Sequence, residues 1–261
     1  MSDTFSAIPV DVQVVLARLL EGLRVALGDD LVGVYLFGSV ATGDYEPGIS
    51  DVDTVAVLRS DPTGAQLSAL DRLHRDIAEE MPVWDERVEV VYLSTRALRD
   101  FRTGSSPAAR ISPGESFHAI EVDRRWLIDW YRLQEVGIAL SGPPATSVVP
   151  TIAREEYVEG VRELMLEWPD RVDDLDNRGS QAYAILTMCR GLRTIRTGEH
   201  VSKREGARWA SRELPQHAEL IRRAVVWREQ ARTNPDLEGA GTLEDTRRFV
   251  MDVAAIVGTG S

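Results

Sequence analysis

The chain has 261 residues, 43% of them hydrophobic, and a formal net charge of −12. That is enough apolar material for one large core or two ordinary ones, while the acidity argues against nucleic acid as the main partner, since a polymer of phosphates is bound through clustered Lys and Arg. The single cysteine, Cys189, excludes an internal disulfide. The first residues lack the basic-then-apolar pattern of a signal peptide and no apolar run is long enough for a bilayer, so a cytoplasmic protein without a membrane partner is expected.

Pro9 to Leu27 reads as an amphipathic helix, with Val12, Val15, Leu16, Leu19 and Leu23 on one stripe. The apolar run Leu31–Phe37 is a strand that leads into Gly38-Ser39. Gly43, Pro47 and Gly48 turn the chain back, and Asp51-Val52-Asp53 opens a second strand that runs to Leu58. A helix follows around Leu67 to Glu80 and stops before Pro82. Arg87 to Leu93 is a third strand, rich in β-branched residues, with Glu89 as its one acidic member. Arg99 to Glu115 carries Gly104, Pro107, Pro113 and Gly114 and reads as a mobile loop near the site. Asp123 to Leu140 returns to helical periodicity until Ser141-Gly142-Pro143-Pro144 stops it, which places a domain boundary between 1–145 and 146–261. The rest reads all-helical: Glu155–Trp168; Ser180–Thr197 with Gly198 as its stop; a third helix opened by the capping box Ser202-Lys203-Arg204-Glu205 and ended by Leu214-Pro215; His217–Arg232; and Thr242–Val257. No dinucleotide fingerprint, Walker loop or His-Glu-x-x-His occurs.

Chemistry concentrates between Gly38 and Glu89. Side chains alternate along a strand, so Asp51 and Asp53 project from one face. Two carboxylates at ~4 Å and an effective dielectric of about 20 repel by roughly 4 kcal/mol. A divalent cation reverses that sign, and Mg2+ typically uses one or two carboxylates plus substrate phosphates. Gly38 lets backbone approach a ligand, and Ser39 adds a hydroxyl and a nearby N–H for a phosphate oxygen. Glu89, on a neighbouring strand, would reach the same cluster and take the proton of an attacking hydroxyl. Each residue alone also has an ordinary reading: Asp-x-Asp pairs cap turns, and Glu89 could be a polar residue of an edge strand.

The combination of Gly38, Ser39, Asp51, Asp53 and Glu89 resembles the nucleotidyltransferase superfamily that includes DNA polymerase beta. The resemblance implies a small mixed sheet with helices on one side, a nucleoside triphosphate and Mg2+. Further on, Ile185 to Arg190, Thr197-Gly198, Lys203, Arg208-Trp209-Ala210 and Glu213-Leu214-Pro215 are similar to the helical domain of aminoglycoside adenylyltransferases, nearest to the type that modifies streptomycin and spectinomycin. The implied architecture is an α/β (α+β) nucleotidyltransferase domain followed by an all-α helical bundle, closing over ATP and an acceptor. The implied reaction moves AMP from ATP to a hydroxyl of a small molecule, an aminoglycoside-type antibiotic, and releases pyrophosphate. In it Asp51, Asp53 and Glu89 would hold Mg2+, Gly38 and Ser39 would cradle the β- and γ-phosphates, Arg190 and Lys203 would brace the phosphates, and Trp227 would lie near the nucleotide. Lys203 also sits at a predicted helix N-terminus, where backbone N–H groups favour anions, and it is the one lysine among 30 basic side chains. A monomer or weak dimer is expected.

The sequence departs from the family on the acceptor side. The family's Phe-Gly-acid-Trp segment corresponds to Ile111–His118 here, which holds no tryptophan, and its acceptor-binding aspartate corresponds to Ser180, with Asp174 and Asp176 nearby. Trp126, Trp130, Glu115 and His118 could line a different acceptor pocket, although core packing is the alternative for both tryptophans. Two other function classes fit the nucleotide residues: a protein-modifying, antitoxin-like nucleotidyltransferase and a non-catalytic nucleotide-binding regulator.

Overall fold

The apolar stripe of the first helical segment folds as α1 (Val10–Leu27), with Val12, Val15, Leu16, Leu19 and Leu23 buried and Pro9 as its N-cap residue. The computed structural model describes residues 8–231, 234 and 238–259. They form two compact units that divide between Ile152 and Ala153.

The first unit is built on a six-stranded sheet in the order β5-β4-β3-β2-β1-β6. Its strands are β1 (Leu31–Phe37), β2 (Val52–Leu58), β3 (Val88–Ser94), β4 (Ser106–Ser112), β5 (Glu115–Val122) and β6 (Ile138–Ser141). Only β2 and β3 run parallel, because helix α3 (Gly64–Glu80) carries the chain back between them. Alternation decides the two faces. Val52, Ala56 and Leu58 of β2 and Val88, Val90 and Tyr92 of β3 join the core with α1 and α3. Asp53 and Glu89 therefore point to the other face, beside Val55, Val57, Val91 and Leu93. That second face is covered too, rather than left open as the resemblance implied: on α5 (Leu127–Val136) the Arg132 guanidinium lies 5.4 Å from the ring of Phe37.

Two segments differ from the sequence expectation. Arg99–Glu115 is not a mobile loop but the end of a short helix α4 (Thr95–Asp100) followed by β4 and its turn into β5. Its prolines and glycines punctuate a hairpin. Pro107 pairs only with β5, because the β4–β3 pairing begins at Ala109, so its missing N–H costs no bond to the central sheet. The helix expected across Asp123–Leu140 stops at Val136, and after Gly137 the chain becomes β6 against β1. The Ser141–Pro144 turn thus lies inside the first unit.

The second unit consists of α6 (Arg154–Glu167), α7 (Arg178–Thr197), α8 (Lys203–Glu213), α9 (Ala218–Gln230) and α10 (Leu243–Thr259). Helix α7 is central and packs against the other four, burying Ile185, Leu186, Met188, Cys189 and Leu192. Its buried Gln181 is satisfied at both ends of the amide. Nε2 donates to the carbonyls of Leu175 (3.1 Å) and Gly239 (2.9 Å), and Oε1 accepts from the hydroxyls of Thr242 (2.7 Å) and Thr246 (3.2 Å). Asn177 caps α7 in a capping box with Ser180, and Ser202 caps α8 with Glu205 as predicted. The expected end of α9 at Arg232 lies outside the described residues. No helix among the described residues is long and apolar enough to cross a membrane.

Candidate active site

β1 ends at Phe37 and the chain turns into a single helical turn, α2 (Gly38–Thr42). Gly38 has φ +70°, the left-handed region that glycine adopts without cost. Space demands glycine as well. A Cβ on Gly38 would come within 2.6 Å of Asp53 Cγ and 3.0 Å of its Cβ, and closer still to Oδ2. The backbone of the turn is therefore pressed against the Asp53 carboxyl. Ser39 follows on α2, its carbonyl accepting from the amide of Asp44 at 2.9 Å.

Asp53 is the second residue of β2 and stands opposite Glu89 in the parallel β2–β3 register. Asp51 immediately precedes the strand. Adjacent carboxylates in a half-buried position disfavour double ionisation. Burial, then repulsion from Asp53, push the Glu89 carboxyl up to about 7, with Asp129 of α5 adding to the effect and Arg110 opposing it. Among the described residues no three His, Cys, Asp or Glu side chains form a ready-made metal cluster. The donor set fits a cation that brings further ligands with it: two hard carboxylate groups side by side, and backbone without a side chain next to one of them.

Sequence reasoning missed the residue that completes this face. Arg110 of β4 stands opposite Val91, on the same side as Glu89, and its Nη2 donates to Glu89 Oε1 at 3.0 Å. Its Nε is buried without a protein acceptor. Around it gather the four residues weighed for an acceptor pocket. Glu115 Oε2 lies 3.7 Å from Arg110 Nη1. His118 pairs with Arg110 across the β4–β5 register. The Arg110 guanidinium sits 5.7 Å from the ring of half-buried Trp126, which stacks on fully buried Trp130 at 5.5 Å and 17°. Trp130 is thus core and Trp126 bridges core and site. The only sequence signal for Arg110 was its place in an alternating stretch, hidden by the flanking prolines.

In the second unit Lys203 is the first residue of α8, with its ammonium 4.4 Å above the ring of Tyr183. One helical turn on, a Cβ at Gly206 would lie 2.7 Å from Arg190 Cα, so α8 meets α7 closely there and Lys203 shares a face with that contact. Trp227 is buried on α9, flanked by the guanidinium groups of Arg223 (4.9 Å) and Arg178 (5.7 Å). Ser180 is engaged in capping α7, its hydroxyl donating to the Asn177 carbonyl at 2.8 Å.

A strand, a glycine turn pressed on an aspartate and a paired glutamate on the parallel neighbour define a nucleotidyltransferase domain, and the model of that domain matches residues 16–102. The model of the aminoglycoside adenylyltransferase C-terminal domain matches residues 147–253. The chain thus carries a nucleotidyltransferase domain followed by an aminoglycoside adenylyltransferase C-terminal domain. Among its relatives, a spectinomycin 9-adenylyltransferase of Staphylococcus aureus is 27% identical over 215 residues, covering 78% of this chain and 80% of the relative. An aminoglycoside (3'') (9) adenylyltransferase of Escherichia coli is 24% identical over 97% of this chain and 98% of its own length. A crystal structure of a spectinomycin adenyltransferase from Enterococcus faecialis, with ATP and spectinomycin, shares the fold at a TM-score of 0.74 and 18% identity, covering 94% of this chain and 99% of that one.

Proposed function

We propose that this chain transfers AMP from ATP to a hydroxyl of a small cationic acceptor, an aminoglycoside-type antibiotic, and releases pyrophosphate. The observation that carries the reading is the Asp53–Glu89 pair in register, with Gly38 packed on Asp53. Mg2+ would be held by Asp51, Asp53 and Glu89 together with substrate phosphate oxygens, and bound there would neutralise charge on the triphosphate. Gly38 and Ser39 present the start of α2 to the β- and γ-phosphates. Arg190 and Lys203 supply positive charge for the phosphates, and Trp227 supports the nucleotide end through the arginines that flank it. Glu89 takes the proton of the attacking hydroxyl, a task suited to a carboxyl with an affinity near neutrality. The activities named for the relatives, and the ATP and spectinomycin of the solved neighbour, support both substrates. The excess of acidic side chains favours a cationic acceptor over a nucleic acid.

The test is pyrophosphate release from ATP with spectinomycin, streptomycin and other aminoglycosides, with and without Mg2+. Asp51→Asn and Asp53→Asn each abolish release while circular dichroism remains that of the parent. Parent-like turnover in both variants would remove the assignment.

A further inference from the structure

The sheet face opposite Asp53 and Glu89 carries a cleft of about 320 Å³ between α3, the turn at Trp84–Glu86 and the β4–β5 hairpin. Its walls are apolar and partly aromatic: Ile77, Trp84, Val88, Ile111 and Phe117. Charge on its lining is one-sided. Asp85, Glu86 and Glu115 face it; of the nearby cations, Arg75 is paired with Asp71 at 2.9 Å, Arg110 lies 3.7 Å from Glu115, and the Arg87 guanidinium lies 4.4 Å over the ring of Trp84, which leaves Asp85 and Glu86 as the carboxylates open to a ligand. His74 adds no positive charge. It is buried, shares a 2.6 Å hydrogen bond with the Tyr92 hydroxyl and stacks on Phe117 at 6.0 Å, and burial pulls it down to about 4.

We propose that this cleft is a second small-molecule site, distinct from the nucleotidyl-transfer site, that takes a compact organic cation with a flat apolar body. Aromatic walls and carboxylates together are the usual receptor for such a ligand. The cleft is also wired to the carboxylates on the far face. Glu115 Oε2 accepts from the Ser112 hydroxyl at 2.9 Å and lies 3.7 Å from Arg110 Nη1, while Arg110 Nη2 donates to Glu89. A cation that engages Glu115 weakens its hold on Arg110 and leaves the guanidinium to Glu89. Occupancy therefore changes turnover, and this second half rests on the function proposed above.

The experiment titrates the full chain with phenethylammonium chloride by calorimetry at low salt. One-to-one binding is expected, with a Kd on the order of 1 mM, and neutral 2-phenylethanol binds at least about tenfold more weakly. Ala78→Phe, which fills the cleft from α3, loses binding and keeps the parent rate of pyrophosphate release without the probe. Asp85→Lys, an exposed change at the rim, also loses binding and does not depend on repacking. Equal binding of the neutral analogue, or parent-like binding by both variants, overturns the site. Saturating probe alters pyrophosphate release in the parent and not in Ala78→Phe; an unaltered parent rate overturns the link to Glu89. If no acceptor supports pyrophosphate release, the proposed function fails while the binding result still decides the cleft.

Discussion

Gly38 and Gly43 allow a clean separation of backbone strain from site geometry. Both have positive φ, +70° and +77°, so alanine at either position costs about 1–2 kcal/mol for the left-handed conformation. They differ in what a methyl group would meet. At Gly43 nothing lies within 4 Å; at Gly38 the new Cβ falls 2.6 Å from Asp53 Cγ and 3.0 Å from Asp53 Cβ. The Asp53 side chain has no room to yield by a few tenths of an ångström, because the clash reaches its Cβ. It must turn out of the position opposite Glu89 or push β2 aside. Gly38→Ala and Gly43→Ala should therefore both lower Tm by a few degrees, roughly 2–4 °C per kcal/mol for a chain of this size. Only Gly38→Ala should lose about a hundredfold or more in kcat/KM, the usual order for a reacting or ligating group displaced by about 1 Å. Thermal denaturation and pyrophosphate release measured on the same preparations decide it. Equal activities of the two variants would refute the claim that Gly38 is fixed by the Asp53 carboxylate.

Three other outcomes follow from the site and the second unit. Glu89→Gln reports the strain of the paired carboxylates: because the folded protein holds the Glu89 proton up to about 7 against an ordinary value of 4.5, stability falls as pH rises through that window. Without Mg2+ the variant should thus gain Tm relative to the parent between pH 4.5 and 7, and a constant difference across that range would show that Glu89 is not perturbed. Arg110→Met removes the cation that opposes the Asp53 repulsion, so the rise of turnover with pH should shift upward while Tm stays within a few degrees; an unchanged pH–rate profile would remove Arg110 from the site. Gln181→Leu takes the side-chain donor from the buried Leu175 carbonyl, while that of Gly239 keeps the Thr242 hydroxyl at 2.9 Å, and should cost about 1–3 kcal/mol in urea denaturation; a loss below about 0.5 kcal/mol would show that the network is not needed.

The parts of this fold that the sequence declared were those fixed by local backbone chemistry. The Ser202–Glu205 capping box, the stop at Gly198 and the stripe of α1 each need only neighbours within a few residues. The turn at Gly38 and the spacing of Asp51 and Asp53 are local in the same sense. Register is not local. Ser106–Ser112 reads Ser-Pro-Ala-Ala-Arg-Ile-Ser, with little β-propensity of its own, and becomes a strand because β3 and β5 offer it hydrogen bonds on both sides. Arg110 could be assigned to Glu89 only once that pairing was known. Ile138–Leu140 reads as the end of a helix for a related reason: three residues do not establish a period, and it is β1 that makes them, with Ser141, a strand.

The same distinction explains why the two halves of the reaction were not equally readable. A triphosphate and a cation are met by backbone turns and hard carboxylates, whose positions follow from short spacings such as Gly38-Ser39 and Asp51-x-Asp53. An acceptor is met by side chains collected from several elements. Around Arg110 the first unit gathers Glu115, His118 and Trp126 from β5 and the segment before α5, none of them within a shared motif. Trp126 keeps one face on buried Trp130, so its orientation is set by the core, and a rigid aromatic held this way has little side-chain entropy left to lose on binding. The chain thus lacks a tryptophan in Ile111–His118 yet places another indole next to Glu89's partner, by packing rather than by motif.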